Sequence, residues 1–318
     1  MRLKSFRKSN KNYNYRVYCM CAFFLFAGIF IGWKDIPGFL KSNILLLRKL
    51  NIAEVFLTEN RLNSLNLNIK FENIEKLRIK REEALEKNLL IRSDNDFVNS
   101  KVSYNSELPQ SCKIRLKGDL PQHWNGDKWS LRINTKKDRS IEGMSTFSIQ
   151  DPITRNYTYE WLFLKNLKFE DVLAPNYFFV NVNINGKEKG IYAVEEHFSK
   201  EMIERKNRRE GIVLSFNEHH MWNLHWNVSW PISYRTSDIE VRDLNRVNSI
   251  PLLSKQRETA VSLLRNFQAR LLDAEQVLDH EKTAKFLALS NIWGAGHGLS
   301  YADINFYYNP ITARLEPI

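Results

Sequence analysis

The chain has 318 residues, 43% of them hydrophobic and 12% aromatic, and carries a formal net charge of +11 from 47 lysines and arginines against 36 acidic residues. That length and apolar content support one or two packed domains and exclude a disordered or low-complexity chain. Cys19 and Cys21 fall inside an apolar run and Cys112 stands alone in the rest, which excludes a disulfide framework and a CxxC metal site there.

Part of the positive excess is local. Arg2, Lys4, Arg7, Lys8, Lys11 and Arg16 precede any acidic residue and lead into residues 17–33, VYCMCAFFLFAGIFIGW. As a helix that uncharged run is roughly 25 Å long, near the lower limit for crossing a bilayer. A small-x-small cleavage site is poorly formed, since Ala27-Gly28 lies inside the run and bulky residues follow. The pattern predicts an uncleaved single-pass signal anchor, with a cytoplasmic tail at 1–16 and the main domain extracytoplasmic. A cleaved signal peptide and a buried helix are the other readings.

Residues 34–110 read as a juxtamembrane segment and a helical stalk. The clearest helix is 70–91, where Ile74, Leu77, Leu85 and Leu89 recur at helical spacing between dense charges, and 92–110 reads as a linker. From Cys112 the pattern changes to strands. CKIRLKG alternates apolar with basic residues, and DKWSLRIN sets Trp129, Leu131 and Ile133 on one face against Lys128, Ser130, Arg132 and Asn134 on the other. Turn chemistry at 118–127 joins them. Residues 154–168 are helical in pattern, with Thr154 the expected N-cap. APNYFFVNVNI, the Asn185-Gly186 turn and KGIYAVEEH form a second hairpin with a strong turn signal. Helices follow at 198–209, 253–273 and 280–293, and INFYYNPITARLEP reads as a closing hairpin; 215–250 resists assignment.

Two cations on one strand face, Lys128 and Arg132, have the chemistry to hold phosphate oxygens. Glu160 falls mid-helix among aromatics, where an unpaired carboxylate is costly, so a strand cation is its natural partner. That is the lysine–glutamate pairing that orients phosphates in protein kinases. Glu195 and Glu196 end the last strand, where a kinase hinge would meet a nucleotide base.

The segments KIRLKGDLPQHW, KWSLRIN, TRNYTYEWLF, APNYFFVNVNINGKEKGIYAVEEHFSKEMIE and FYYNPITARLEPI resemble the CotH family of spore-coat-protein-H-like atypical kinases, over about residues 112–318. The resemblance implies an α+β, atypical protein-kinase-like fold, with an antiparallel-sheet lobe and an incomplete helical lobe over 111–318. It also implies ATP- and Mg²⁺- (or Mn²⁺-) dependent phosphorylation of protein hydroxyls. By position it puts Lys128 and Arg132 on the phosphate side, Glu160 on the helix behind, Asp303 as a metal ligand and His297 near the catalytic base. In the family a further acidic residue follows the LEPI-type strand, whereas this sequence ends at Ile318, so a fragment of a longer enzyme is expected.

The cluster Glu218, His219, His220 and His225 has metal-ligand chemistry, but Trp222, Trp226 and Trp230 between them read as a packed insertion. The basic stretch 205–209 reads first as a solvated helix face. An acidic surface polymer is its next partner, and nucleic acid is not expected. The rival to a kinase is a non-catalytic, glycan-associated surface-assembly protein or a pseudokinase scaffold.

Overall fold

The computed structural model describes residues 62–136, 139–218 and 230–318. The run 17–33 lies outside them, as do His219, His220 and His225. Among the described residues no helix is long and apolar enough to cross a membrane. The single-pass, membrane-anchored localisation read from the sequence therefore has no supporting helix among the described residues.

Seven strands close into a barrel: β1 (Ser64–Ile69), β2 (Val98–Tyr104), β3 (Gln110–Leu116), β4 (Leu131–Thr135), β5 (Thr146–Gln150), β6 (Tyr177–Ile184) and β7 (Lys187–Glu196). Their order around the barrel is β1-β2-β3-β4-β5-β7-β6. All neighbours are antiparallel except the closing pair, where β1 runs parallel to β6 with Leu65 opposite Val182. This corrects two expectations. The sheet is a barrel and not an open antiparallel lobe, and the supposed stalk and linker supply two of its strands. Helix α1 (Phe71–Lys87) is no stalk either: Leu77 and Ala84 are buried in the barrel's core cluster.

Strand alternation sends one set of side chains inward. Leu65, Leu67, Ile114, Ile133, Phe147, Ile149, Val180, Val182, Tyr192 and Val194 are all fully buried there. Each contributes roughly 1.5–3 kcal/mol of apolar burial, so a slip of one residue in any strand would lose several such terms at once. The register at the closure is also fixed by a side chain. Asn185 (φ 52°) and Gly186 (φ 78°) make the two-residue turn between β6 and β7, both in the left-handed region that a type I′ turn requires. The Asn185 side chain then accepts from Ile69 N (2.7 Å) and donates to Ile69 O (2.8 Å), tying the hairpin to the end of β1.

The helix expected at 154–168 starts later. Asp151 caps a short 3₁₀ turn, Pro152–Arg155, by accepting from Ile153 N, and Asn156 and Tyr157 then adopt positive φ. Helix α2 (Tyr159–Phe169) begins after that break. Its Phe163, Leu164 and Leu167 pack on Tyr177 and Ala193 of the barrel's outer surface and on Phe286 of helix α8 (His280–Ile292).

After α3 (Lys200–Arg205), a second sheet forms from β8 (Ile212–Phe216), β9 (Ile239–Val241), β10 (Asn305–Asn309) and β11 (Arg314–Pro317), ordered β11-β10-β8-β9, with α4 (Trp230–Thr236) between β8 and β9 in the chain. One face carries Ile212, Leu214, Phe306, Tyr308 and Leu315. It packs on α5 (Leu244–Ser249), α6 (Pro251–Gln268) and α7 (Ala274–Val277) through Val247, Leu253, Ala260, Leu264 and Val277. The other face carries Ser215, Asn305 and Tyr307, and it is here that polar groups gather.

Candidate functional site

The outer face of the barrel carries a row of polar residues set by strand register. Arg115 lies opposite Arg132, Arg132 opposite Ser148, Ser148 opposite Glu195, and Glu195 opposite Tyr177. The same alternation that buries Ile114 and Leu116 turns Arg115 and Lys117 outward. Lys117 Nζ meets Glu195 Oε2 at 2.5 Å, and Gln150, itself fully buried, bridges the two: it accepts from Lys117 Nζ at 3.2 Å and donates to Glu195 Oε2 at 3.1 Å. Lys117 and Glu195 thus form an ion pair between two strands that are not neighbours in the barrel.

Burial works against the charge on Glu195, but Lys117, Arg155 and Arg132 outweigh it and draw the carboxyl down to about 2. Burial also lowers Lys117, opposed by Glu195. Because the folded value of Glu195 lies below its ordinary 4.5, the ionised carboxylate stabilises the fold above about pH 4.5. That stabilisation is lost as pH falls from there toward 2. Urea melts over this range are expected to show a steep loss for the wild type and a shallower one for Glu195→Gln; parallel profiles would exclude the assignment. Arg132 is lowered to about 10, by burial first, and its buried Nε has no hydrogen-bond partner among the described residues. A half-buried guanidinium with an unused donor is suited to an anion.

The connection between β3 and β4 is not a plain polar hairpin. Gly118 has φ +86°, and a Cβ there would lie 2.2 Å from the His123 ring, so only glycine fits. His123 is buried, driven down to about 4 by burial and then by Lys117 and Arg155, and its Nδ1 pairs with Ser130 Oγ at 3.1 Å. Trp124 is fully buried in the barrel core and donates to Gly118 O at 3.2 Å. From α1, Arg81 donates to Trp124 O (2.5 Å) and Asn125 O (2.8 Å). The loop that follows Lys117 is thus pinned at three points.

The residues singled out from the sequence separate. Lys128 precedes β4 and is not on the strand: its Nζ donates to Ile191 O at 3.1 Å and lies 3.9 Å from Asp151, so it does not reach Glu160. Glu160 sits in the first turn of α2, not mid-helix. Burial raises it, and the charges acting on it are Arg155, Glu195, Lys117 and His297, which puts it near the polar row. Glu195 and Glu196 point to opposite sides, as neighbours on a strand must. Glu196 is buried, accepts from Asn176 N at 2.8 Å and pairs with Arg205, a structural position away from the row. His297 Nε2 lies 3.5 Å from Asp303 Oδ1; the imidazole is largely exposed and the carboxyl about a third exposed, just before β10. Burial raises Asp303, opposed by His297 and aided by Glu218. Among the described residues no three His, Cys, Asp or Glu side chains converge as a metal site.

Sequence reasoning missed Lys117, Gln150, Arg155 and Arg242. Lys117 was legible from strand parity: it continues the outward series Lys113, Arg115 and sits directly before Gly118. The others depend on which strands and turns become neighbours. Arg242, just past β9, donates to Ser215 Oγ (3.3 Å) and Asn305 Oδ1 (3.1 Å) on the polar face of the second sheet. Arg92 bridges Asp119 (3.0 Å) in the β3–β4 connection to Glu218 (2.7 Å) beyond β8.

None of the curated proteins searched matches this chain. A family model does, over residues 114–309: it begins inside β3, spans Lys117, Gln150, Glu195 and Asp303, and ends with β10. It leaves β1, α1 and β2 outside. With more than half of its length inside the CotH kinase protein model, the chain belongs to that kinase-like family.

Proposed function

We propose that the polar row on the outer barrel face binds ATP by its phosphates and that the domain transfers the terminal phosphoryl group to a protein hydroxyl. The Lys117–Glu195 pair carries this reading. A lysine held by a partly buried glutamate and a buried glutamine has one orientation, which is what positioning a phosphate requires and what a freely rotating surface lysine lacks. Arg132, with its unused buried donor, supplies a second contact to the phosphates.

Asp303 fits one ligand position of Mg²⁺ or Mn²⁺, since such cations take one or two carboxylates and complete their shell with phosphate oxygens and water. A cation held there would offset charge on the transferring group. His297, 3.5 Å from Asp303, would accept a proton from an incoming hydroxyl. Glu160, within the field of Lys117 and Glu195, adds negative potential there and so favours a ligand that arrives with its own cation.

The test is a thermal-shift titration with ATP and Mg²⁺ or Mn²⁺, followed by transfer of labelled γ-phosphate to the protein itself or a generic basic protein. Stabilisation and transfer, both lost in Asp303→Ala, are the expected results. Stabilisation with no transfer under any condition would mark a nucleotide-binding scaffold. No stabilisation would overturn the reading.

A further inference from the structure

Where α4 and α6 end, three arginines meet around one opening. Arg235 in the last turn of α4, Arg265 in the last turn of α6 and Arg270 just beyond α6 line an open cavity of about 360 Å³, together with Gln268 and Ala269. Side chains clasp the two helix ends together. Gln268 is buried, and its Nε2 donates to Tyr234 O (2.5 Å) and Ser237 O (2.9 Å). Its Oε1 accepts from Arg265 Nη1 at 3.0 Å, and the same Nη1 donates to Ser237 O at 3.1 Å. The Tyr234 ring packs in turn on Phe216 (5.1 Å between centroids) and on Tyr301 (5.8 Å), so the cavity is anchored to the core of the second sheet.

Arg270 occupies a position that suits glycine. Its φ is +60°; Arg270 N donates to Phe267 O at 3.0 Å and Leu271 N to Asn266 O at 2.8 Å, the pattern that ends a helix on a left-handed residue. A Cβ is costly there, yet the chain places a long cation at that point and turns it to the cavity. Helix ends favour cations, and Arg265 meets that demand at Ser237 O. That demand does not call for three guanidinium groups around one cavity. Arg235 and Arg270 make no hydrogen bond or ion pair among the described residues.

The cavity lining holds no carboxylate, and the one that pairs with any of the three arginines among the described residues is Asp238, 3.4 Å from Arg265 and mostly exposed. Two positive charges are left unanswered. A phosphomonoester carries about −1.5 to −2 at pH 7, and planar guanidinium forks meet its oxygens in pairs. The opening is larger than one tetrahedral anion fills. Ile232, three residues before Arg235 on α4, and Leu271, next to Arg270, are 56% and 73% exposed. A free anion uses neither, whereas a peptide that carries the phosphate can cover both. We infer that the cavity between α4 and α6 binds a phosphorylated serine or threonine presented on a protein segment. The site needs no nucleotide, so it stands or falls apart from the ATP reading.

Arg270→Gly separates binding from folding, because glycine suits φ +60° and the guanidinium is removed. Anisotropy of a labelled peptide with one phosphoserine among alanines and leucines, titrated with the full chain, reads the affinity. The same peptide with serine or glutamate at that place, and inorganic phosphate as competitor, complete the set. The wild type should bind the phosphopeptide at least about tenfold more tightly than the serine or glutamate peptide. Arg270→Gly should weaken it about tenfold to a hundredfold while melting at or above the wild-type temperature, and Arg235→Gln should weaken it similarly. Arg132→Gln, in the barrel row, should change it by less than about twofold. No binding to the wild type, or binding that Arg270→Gly and Arg235→Gln leave unchanged, overturns the site. A glutamate peptide bound as tightly as the phosphopeptide overturns the phosphate preference, and inorganic phosphate bound as tightly as the phosphopeptide overturns the peptide as its source. Should Arg270→Gly melt early, Arg235→Gln decides.

Discussion

Replacing Lys117 with methionine is expected to destabilise the domain by about 3–5 kcal/mol at neutral pH, because it leaves the Glu195 carboxylate enclosed without its cation. Gln150 alone cannot replace a charge, and the depression of Glu195 to about 2 depends chiefly on Lys117 once burial is overcome. The double variant Lys117→Met with Glu195→Gln removes both charges and should regain most of that stability. ATP affinity should stay about tenfold to a hundredfold weaker in both variants, since a phosphate contact is gone in each. Denaturant melts of the four proteins in the cycle, with ATP titrations alongside, separate the structural from the ligand-binding share. A single variant that melts within about 1 kcal/mol of the wild type would show the pair to behave as an exposed one.

Trp124→Ala should cost a similar amount, about 3–5 kcal/mol, as expected for removing a large ring from a packed core. Trp124 is fully buried, and the space it fills is bounded by strands and by α1, which limits collapse into the cavity. The ring also holds Gly118 O, and its own carbonyl holds Arg81. Loss of the indole should therefore release the connection after Lys117 as well as weaken the core. Hydrogen exchange should show faster protection loss at the amides of His123 and Ser130 than at those of β8, whose contacts are remote from the change. Trp124→Phe keeps most of the filling and loses the N–H, so its smaller cost isolates the hydrogen bond to Gly118. If Trp124→Ala leaves exchange in the loop unchanged, the tryptophan is a core filler only.

Much of the strand pattern was legible because alternation is local. β3, β6 and β7 follow directly from which residues are apolar, and the Asn185-Gly186 turn announced its hairpin by residue type. What was not legible is pairing at a distance. Nothing in SLNLNI says that it runs parallel to β6, so the segment before Cys112 looked like an approach to the domain when it is part of its wall. The candidate site failed for the same reason at finer scale. Lys128 and Glu160 were matched as a plausible cation and carboxylate, but Lys128 precedes its strand and turns to Ile191 O, while the glutamate that meets a lysine is Glu195, 78 residues along from Lys117. Glu195 and Glu196 share a strand end, but alternation sends them to opposite faces, and only Glu195 joins the row.

The parallel closure of the barrel has a consequence for how the protein is made and handled. Ile69 is bound to Asn185, a sequence separation of 116 residues, so β1 leaves the ribosome long before its second partner exists. Until residue 184 emerges, β1 and β2 form a ribbon with an unpaired edge, and the slow, nonlocal step of folding is the arrival of β6 at that edge. A chain begun at residue 114, where the family match starts, would carry β3 and β6 as two permanent open edges in place of a closed wall, with the core below them uncovered. Such a piece is a template for aggregation, whatever its catalytic residues. The first fifty residues of the described fold are in this sense the seam of the barrel, and a preparation that omits them would report on a different object.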